Sequence, residues 1–185
     1  MSHRVIAGTA KGKRLKMVPG DTTRPIMDRV KESLFNIIGR DIFDASFLDL
    51  FAGTGAVGIE ALSRGAEHAL FIDLEAKAIA TIQDNLKTTH FLSQAEVRQT
   101  SAFSLLAQKP HKKFEFIYIA PPQYQKLWVQ TLVALENNQE WVTQETQVIV
   151  QIDPSEVEPI SLKTLELVDE RRYGNTLLWF LVKRQ

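Results

Sequence analysis

The sequence contains no cysteine, and this absence excludes several kinds of site at once. A chain of 185 residues without cysteine has no disulfide, no thiolate nucleophile and no cysteine-ligated zinc or iron–sulfur centre. No apolar run approaches the ~18–20 residues of a membrane-spanning helix. The first residues, Met-Ser-His-Arg, do not lead into the apolar stretch of a secretory signal, so we expect a cytoplasmic protein and no membrane partner. The four histidines are scattered without the spacing of metal ligands, and no metal is expected.

The charges balance overall but are distributed unevenly along the chain. There are 22 lysines and arginines and 22 aspartates and glutamates, so the formal net charge is zero. Residues 1–40, however, contain nine basic and three acidic residues, a net charge of +6, and the remainder carries −6. A basic segment on an acidic body favours a polyanion such as nucleic acid as the partner of one end of the protein. The alternative is a solvated surface without a partner.

The length and the 44% hydrophobic content fit one globular domain with a short appendage. Residues 4–18 predict two short strands around a lysine-rich turn. A helix follows, with Pro25 in its first turn and Gly39 as its stop. We therefore divide the chain into a basic N-terminal hairpin and helix, residues 1–40, and a second part, residues 41–185.

From residue 47 onward, short buried strands alternate with amphipathic helices. The predicted elements are strands at 47–51, 68–72, 95–98, 114–119 and 146–152 and helices at 58–64, 75–88 and 125–137. The chain closes with two strands, 162–173 and 176–182, around Gly174-Asn175, a dipeptide typical of tight hairpins. This order predicts an α/β fold with a doubly wound, mostly parallel sheet of seven strands and an antiparallel hairpin at its edge.

A glycine-rich loop lies between the first strand and the first helix of the second part. Gly53, Gly55 and Gly58 form a Gly-x-Gly-x-x-Gly pattern, in which glycines let the backbone turn sharply and approach a ligand closely. Asp73 ends the next strand, 20 residues after Gly53, where an acid meets ribose hydroxyls in such folds. The combination predicts a nucleoside-containing cofactor. The alternative is a tight turn without a ligand.

The acid before this loop bears on which cofactor binds. A dinucleotide needs a positive helix end for its pyrophosphate, and Asp49 would repel that group. S-adenosylmethionine carries a sulfonium and an α-ammonium group and no phosphate. Asp49 and the antiparallel hairpin therefore both favour a methyltransferase over a dehydrogenase.

The fourth strand ends in Ala120-Pro121-Pro122-Gln123-Tyr124. In a doubly wound fold this edge of the sheet faces the ligand crevice. Prolines lack the backbone donor and leave carbonyl groups pointing into the crevice, and an aromatic ring nearby can stack on a flat substrate. The pattern resembles the Asp/Asn-Pro-Pro-Tyr/Phe motif of enzymes that methylate exocyclic amines of nucleobases. The alternative is a strand end followed by a turn.

Several blocks of the sequence together resemble the RsmD family, which methylates guanine N2 in bacterial 16S ribosomal RNA. The matching blocks are residues 4–8, 11–15, 23–25, 28–36, 49–55, 58–66 and 172–176. The resemblance extends nearly end to end. It implies a Rossmann-like class I methyltransferase fold in residues 41–185, S-adenosylmethionine as the cofactor, and 16S rRNA or the 30S subunit as the partner of a monomeric enzyme.

The resemblance also implies roles for individual residues. Those expected around the cofactor are Asp49, Ala52, Gly53, Thr54, Gly55, Asp73, Ser101 and Ala102. Those expected at the target base are Ala120, Pro121, Pro122 and Tyr124. The excess of positive charge in residues 1–40, rather than the resemblance, gives the residues expected to hold the RNA: Lys11, Lys13, Arg14, Arg24, Arg29 and Lys31.

The sequence departs from the family pattern at the site itself. Ala120, Ser101 and Gln151 stand where the family carries acids, and Gln123 displaces the aromatic residue by one position. Losing a carboxylate at Ala120 removes a charge-assisted acceptor, although backbone carbonyls remain and Gln123 could offer an amide oxygen. Two alternatives stay open: an adenine-N6 methyltransferase acting on DNA or RNA, and a catalytically weakened homologue that binds RNA and cofactor.

Overall fold

A seven-stranded sheet forms the centre of the computed structural model, which describes residues 3–20 and 26–185. The strands are β1 (Ser46–Asp49), β2 (His68–Asp73), β3 (Ala95–Gln99), β4 (Phe116–Ile119), β5 (Gln147–Ile152), β6 (Leu165–Tyr173) and β7 (Thr176–Lys183). The helices are α1 (Asp28–Ile38), α2 (Ala56–Ser63), α3 (Ala76–Thr89), α4 (Ala102–Leu106) and α5 (Leu127–Asn137). Short 3-10 helices occupy Gly39–Ile42, Leu92–Gln94, Gln139–Trp141 and Pro154–Glu156.

The strand order is β3-β2-β1-β4-β5-β7-β6, which confirms the predicted doubly wound sheet. Strands β1 to β5 are parallel, and β7 runs antiparallel to both β5 and β6. The order of the chain reverses between β1 and β4, so a crevice opens at their carboxyl ends. The pairing of Leu177 with Ile152 places the hairpin turn at this same edge.

Helices cover both faces of the sheet because alternate residues of its buried strands point to opposite sides. On one face, Phe47, Tyr118 and Ile149 share a core with α1, α2 and α3. On the other face, Leu48 and Ile117 share a core with α4 and α5. The two layers hold the strand ends in fixed positions around the crevice.

The N-terminal hairpin forms fewer ladder contacts than predicted. Instead of two strands, a single antiparallel bridge joins Arg4 and Arg14. The amides of Val5, Gly12 and Leu15 still donate across the hairpin, but those of Ile6 and Ala7 donate instead to the carboxylate of Glu60 on α2, at 2.9 and 3.0 Å. The segment therefore lies on α2, and its apolar side chains join the core beneath it.

The predicted ends of the helices agree with the structure to within about two residues, the usual scatter between methods. Helix α1 ends before Gly39, which adopts a φ of 61°, as a C-terminal glycine stop does. Pro25, predicted in the first turn of this helix, lies outside the described residues. Helix α4 was not predicted from the sequence. Within residues 3–20 and 26–185, no helix has the length and apolar character needed to cross a membrane.

Candidate functional site

The glycine loop after β1 connects directly to α2. Gly55 precedes the helix with a φ of 77°, in the left-handed region, where a side chain would be strained. A Cβ atom on Gly58 would lie 2.4 Å from the ring of Phe71, so the first turn of α2 packs closely on β2 only because this residue is glycine. Gly55 explains why the loop is tight, and Gly58 explains why α2 packs closely on β2.

Asp49 lies buried at the end of β1, beneath this loop. Only 1% of its surface is exposed, and its Oδ1 atom has no hydrogen-bond partner in the described part of the chain. Burial, followed by the charge of Asp73, raises the pKa of Asp49 to about 7, and the backbone amides of Gly58 and Phe51 oppose this shift. A buried carboxylate with an unused oxygen is suited to a cationic group such as the α-ammonium of S-adenosylmethionine.

Asp73 is held in a fixed orientation at the end of β2. Its Oδ2 accepts a hydrogen bond from the Gly53 amide at 2.8 Å, and its Oδ1 accepts one from the Glu75 amide at 2.9 Å. Each carboxylate oxygen keeps a further lone pair, which leaves the side chain able to accept from two hydroxyl groups, as its predicted role toward a ribose requires. The structure therefore brings Asp49 and Asp73 together at the two sides of the glycine loop.

Ser101 is the N-cap of the short helix α4, which begins beside Asp73. Its hydroxyl accepts from the Ser104 amide at 3.0 Å, and the preceding Thr100 amide donates to the Asp73 carbonyl at 3.0 Å. Ala102 is buried in the core. The end of β3 is thereby held against the end of β2, where the adenine of the cofactor was expected.

The predicted target-base residues follow β4, across the crevice that opens between β1 and β4. Ala120 and Pro121 are partly buried, while Pro122 and Tyr124 are exposed. Tyr124 is 71% exposed and has a φ of 63°, and its amide donates to Glu156 at 2.8 Å. Its ring is therefore available for stacking, on a segment fixed by its backbone.

Two side chains that the site analysis of the sequence did not connect meet next to Ala120. The hydroxyl of Tyr118 on β4 donates to Oε1 of Gln151 on β5 at 2.5 Å. Tyr118 also pairs in register with Asp49, and burial together with that charge raises its pKa well above the ordinary value. The available signal was strand alternation, since Tyr118 and Ala120 share one face of the sheet.

The N-terminal segment contacts the glycine loop, which sequence reasoning also missed. His3 lies 2.8 Å from the hydroxyl of Thr54, measured from its Nε2 atom. On α3, the amide of Asn85 donates to the carbonyls of Thr54 and Lys16 and accepts from the Lys16 amide. A buried polar residue on a helix face is the signal that could have indicated Asn85.

The structure divides the predicted RNA-binding residues. Lys11, Lys13 and Arg14 are exposed at the turn of the hairpin, and Arg29 is exposed on α1. Arg24 lies outside the described residues.

The prediction for Lys31 was wrong. Its side chain is 1% exposed, its Nζ donates to the Arg4 carbonyl at 2.6 Å, and it pairs with Glu60 at 3.3 Å. Helical periodicity places it on the inner face of α1 with Leu34 and Phe35, so it cannot reach RNA phosphates. Burial lowers its pKa, and Glu60 opposes that shift.

The described residues contain no group of three or more histidine, cysteine, aspartate or glutamate side chains that could hold a metal ion.

The candidate site has two sides: a cofactor side, around Asp49 and Asp73, and a base side, around Ala120 and Tyr124. Both sides lie at the carboxyl ends of adjacent central strands.

The chain is similar to known proteins over most of its length. The protein is 38% identical to Ribosomal RNA small subunit methyltransferase D of Escherichia coli, over 84% of this chain and 75% of that one. It is 35% identical to the protein of the same name from Haemophilus influenzae, over 93% of both chains. The solved structure of yhhF from Escherichia coli superposes with a TM-score of 0.87 at 32% identity, covering 99% of this chain and 98% of that one.

A family profile described as "Conserved hypothetical protein 95" matches residues 3–182, which is nearly the whole chain. This match confirms the resemblance that the sequence blocks indicated. The chain belongs to this family, the RsmD family of methyltransferases.

Proposed function

We propose that this protein transfers a methyl group from S-adenosylmethionine to the exocyclic N2 amine of a guanine in 16S rRNA, within the 30S subunit or an assembly intermediate. The observation that carries the proposal is the position of Asp49, a buried acid with one carboxylate oxygen that has no hydrogen-bond partner in residues 3–20 and 26–185, beside the strand end Ala120-Pro121-Pro122 of the neighbouring β4. The names of the relatives from Escherichia coli and Haemophilus influenzae support ribosomal RNA as the substrate class.

The cofactor side of the site holds the methyl donor. S-adenosylmethionine supplies a methyl group on a positively charged sulfur, which leaves as a neutral thioether. Asp49 accepts from the α-ammonium group, and Asp73 accepts from the ribose hydroxyls. Ser101 and Ala102 border the adenine. Because Asp49 is buried, its attraction for a cation is screened less than that of a surface acid.

The base side orients the amine. An exocyclic amine is a poor nucleophile because its lone pair is conjugated with the ring. The backbone carbonyls of Ala120 and Pro121 present acceptors to its N–H groups, which favours the rehybridised nitrogen and the positive charge that develops on it. The nitrogen–carbon bond forms as the carbon–sulfur bond breaks, and the amine then loses one proton to water. Tyr124 stacks on the base, which is flipped out of its helix or loop.

The RNA is held by the basic N-terminal segment, while residues 41–185 hold the cofactor. The exposed Lys11, Lys13 and Arg14 lie at the hairpin turn, and Arg29 extends this surface along α1. Phosphate contacts of this kind give affinity and orientation without reading sequence. The chain acts as a cytoplasmic monomer in this proposal.

A second candidate is favoured by Ala120, which offers no side-chain acceptor. In that case the protein binds rRNA and cofactor with little turnover. Adenine N6, on DNA or RNA, is the alternative target for an active enzyme.

The test is transfer of tritiated methyl from S-adenosylmethionine to 30S subunits and to 16S rRNA from cells that lack this modification. We expect incorporation, recovered as N2-methylguanosine after digestion to nucleosides. Matched DNA and 23S rRNA serve as controls. Recovery of N6-methyladenosine favours the alternative target, and normal cofactor affinity in calorimetry without any transfer favours the weakened homologue.

A further inference from the structure

Gln151 occupies an unusual place for a polar side chain. It lies in β5, which is paired on both sides, and the strand residues from Val148 to Val150 and at Ile152 are buried. Core clusters lie on both faces of the sheet. Gln151 is half-buried, unlike the strand residues on either side of it, and we infer from its position near the end of β5 that it faces the crevice at the carboxyl edge.

Strand register sets Gln151 beside the target-base residues. Ile119 of β4 pairs with Val150 of β5, and one further step of this parallel register pairs Ala120 with Gln151. Paired residues in a sheet point to the same face, so the carboxamide and the methyl group of Ala120 are neighbours. Gln123, the acceptor suggested by the sequence, is instead exposed beyond the strand.

A hydrogen bond from Tyr118 fixes the orientation of the Gln151 carboxamide. Tyr118, on the same face two residues before Ala120, donates its hydroxyl hydrogen to Oε1 of Gln151. An amide oxygen has two lone pairs, so one stays available after this bond is made. A donated hydrogen bond also polarises the carbonyl and strengthens its second acceptor site.

We propose that Gln151 is a further substrate-contacting residue, whose carboxamide oxygen accepts an N–H of the target amine in place of the side-chain acceptor that Ala120 lacks. Tyr118 is its positioning residue. This inference rests on the proposed function, methyl transfer to a nucleobase amine. It makes the base side a composite of two strands, with backbone carbonyls from β4 and a side-chain acceptor from β5.

Four variants test this role in the full-length protein on 30S subunits: Gln151→Leu, Gln151→Glu, Tyr118→Phe and the control Gln147→Leu. Gln147 is a half-buried glutamine of the same strand at its opposite end. Because Gln151→Leu removes a preorganised acceptor, we expect kcat to fall about 10- to 100-fold with an unchanged Kd for S-adenosylmethionine. Gln147→Leu should keep kcat within about twofold of wild type, because Gln147 lies at the end of β5 remote from the crevice.

The charged variant gives a readout that a structural role would not produce. In Gln151→Glu the ionised carboxylate is a stronger, charge-assisted acceptor for the amine than the protonated acid, so the rate should rise with pH through the pKa of the new acid, a limb that wild type lacks. As a single change, Tyr118→Phe should reduce kcat. In the double variant with Gln151→Leu it should add little to the loss caused by Gln151→Leu, since Tyr118 acts through Gln151.

The outcomes separate this inference from the proposed function. A wild-type protein that methylates no nucleobase amine overturns both. An active wild type whose Gln151→Leu variant keeps its kcat, or loses no more than Gln147→Leu, overturns the role of Gln151 alone. If Gln151→Leu fails to fold, a Gln151→Glu profile identical to that of wild type contradicts the inference.

Discussion

The imidazole of His3 and the hydroxyl of Thr54 meet at 2.8 Å, although 51 residues separate them in the chain. The contact joins the start of the basic N-terminal segment to the loop expected to hold the cofactor. Asn85 adds a second connection between the same two parts, through Thr54 and Lys16. The segment that we expect to bind RNA is thus bonded to the cofactor loop at two points.

We expect His3→Ala to weaken S-adenosylmethionine binding by about 3- to 10-fold, the effect of losing one hydrogen bond that orders the loop. Calorimetric titration measures this, with His111→Ala, at the opposite edge of the sheet, as the control. An unchanged affinity in His3→Ala would mean that the loop is rigid without its N-terminal contact.

The same histidine predicts a dependence of stability on pH. Burial, then the charge of Lys31, lowers the pKa of His3 below its ordinary 6.5, while Asp28 opposes the shift. The folded state therefore binds fewer protons than the unfolded state, and the contribution of His3 is present above 6.5 and lost as pH falls through the folded pKa. The Tm difference between wild type and His3→Gln should become smaller or change sign as the pH is lowered through the folded pKa of His3.

Asp49→Asn should stabilise the cofactor-free protein at high pH while abolishing tight cofactor binding. The folded pKa of Asp49 is raised to about 7, so its stabilising contribution is complete below 3.8 and is lost as pH rises through about 7. Removing the ionised group should raise the free energy of unfolding by about 1–3 kcal/mol at pH ~8, with a smaller effect at pH ~5. Denaturant titrations at the two pH values measure this. A variant that is less stable than wild type at the higher pH would show that the carboxylate has a partner.

Lys31→Met should destabilise the fold by about 1–3 kcal/mol, because it removes a buried charged partner of Glu60, which keeps its ion pair with Arg64 at 2.9 Å. The neighbouring Arg29→Ala, on the exposed side of α1, is the matched control and should leave the free energy of unfolding unchanged. Equal stability of the two variants in urea titrations would contradict the assignment of Lys31 to the core.

The triple change of Lys11, Lys13 and Arg14 to Ala should weaken RNA binding and reduce its dependence on salt. Each lost phosphate contact lowers the log–log salt slope by roughly 0.7–0.9, so we expect a loss of about two units. Cofactor affinity should hardly change. The matched control replaces Lys109, Lys112 and Lys113, three lysines of the turn before β4. If the control loses as much affinity as the hairpin variant, the RNA surface is elsewhere.

Local patterns were sufficient to predict most of the fold. β1, β2 and β5 read as short apolar runs, and Gly174-Asn175 marked the final hairpin where β6 meets β7. Helix α4 was missed because five residues carry too little periodicity, although Ser101 is a normal N-cap. The N-terminal strands were overpredicted because alternation does not reveal that Glu60 competes for their amides.

The site was predictable where it depends on single strand ends and not where it depends on distant pairs. Asp49 and Asp73 follow directly from the position of an acid after a buried strand. The contacts of Tyr118 with Gln151, and of His3 with Thr54, join residues 33 and 51 positions apart, which no local spacing indicates. Lys31 was misassigned because a net charge counted along the chain does not distinguish the faces of a helix.

Methyl transfer to guanine N2 is best tested by mass-spectrometric mapping of 16S rRNA from cells with and without this gene. We expect one N2-methylguanosine that is present with the gene, absent without it, and restored by the wild-type protein. An identical set of modified nucleosides in the two strains, or the loss of an N6-methyladenosine instead, would contradict it.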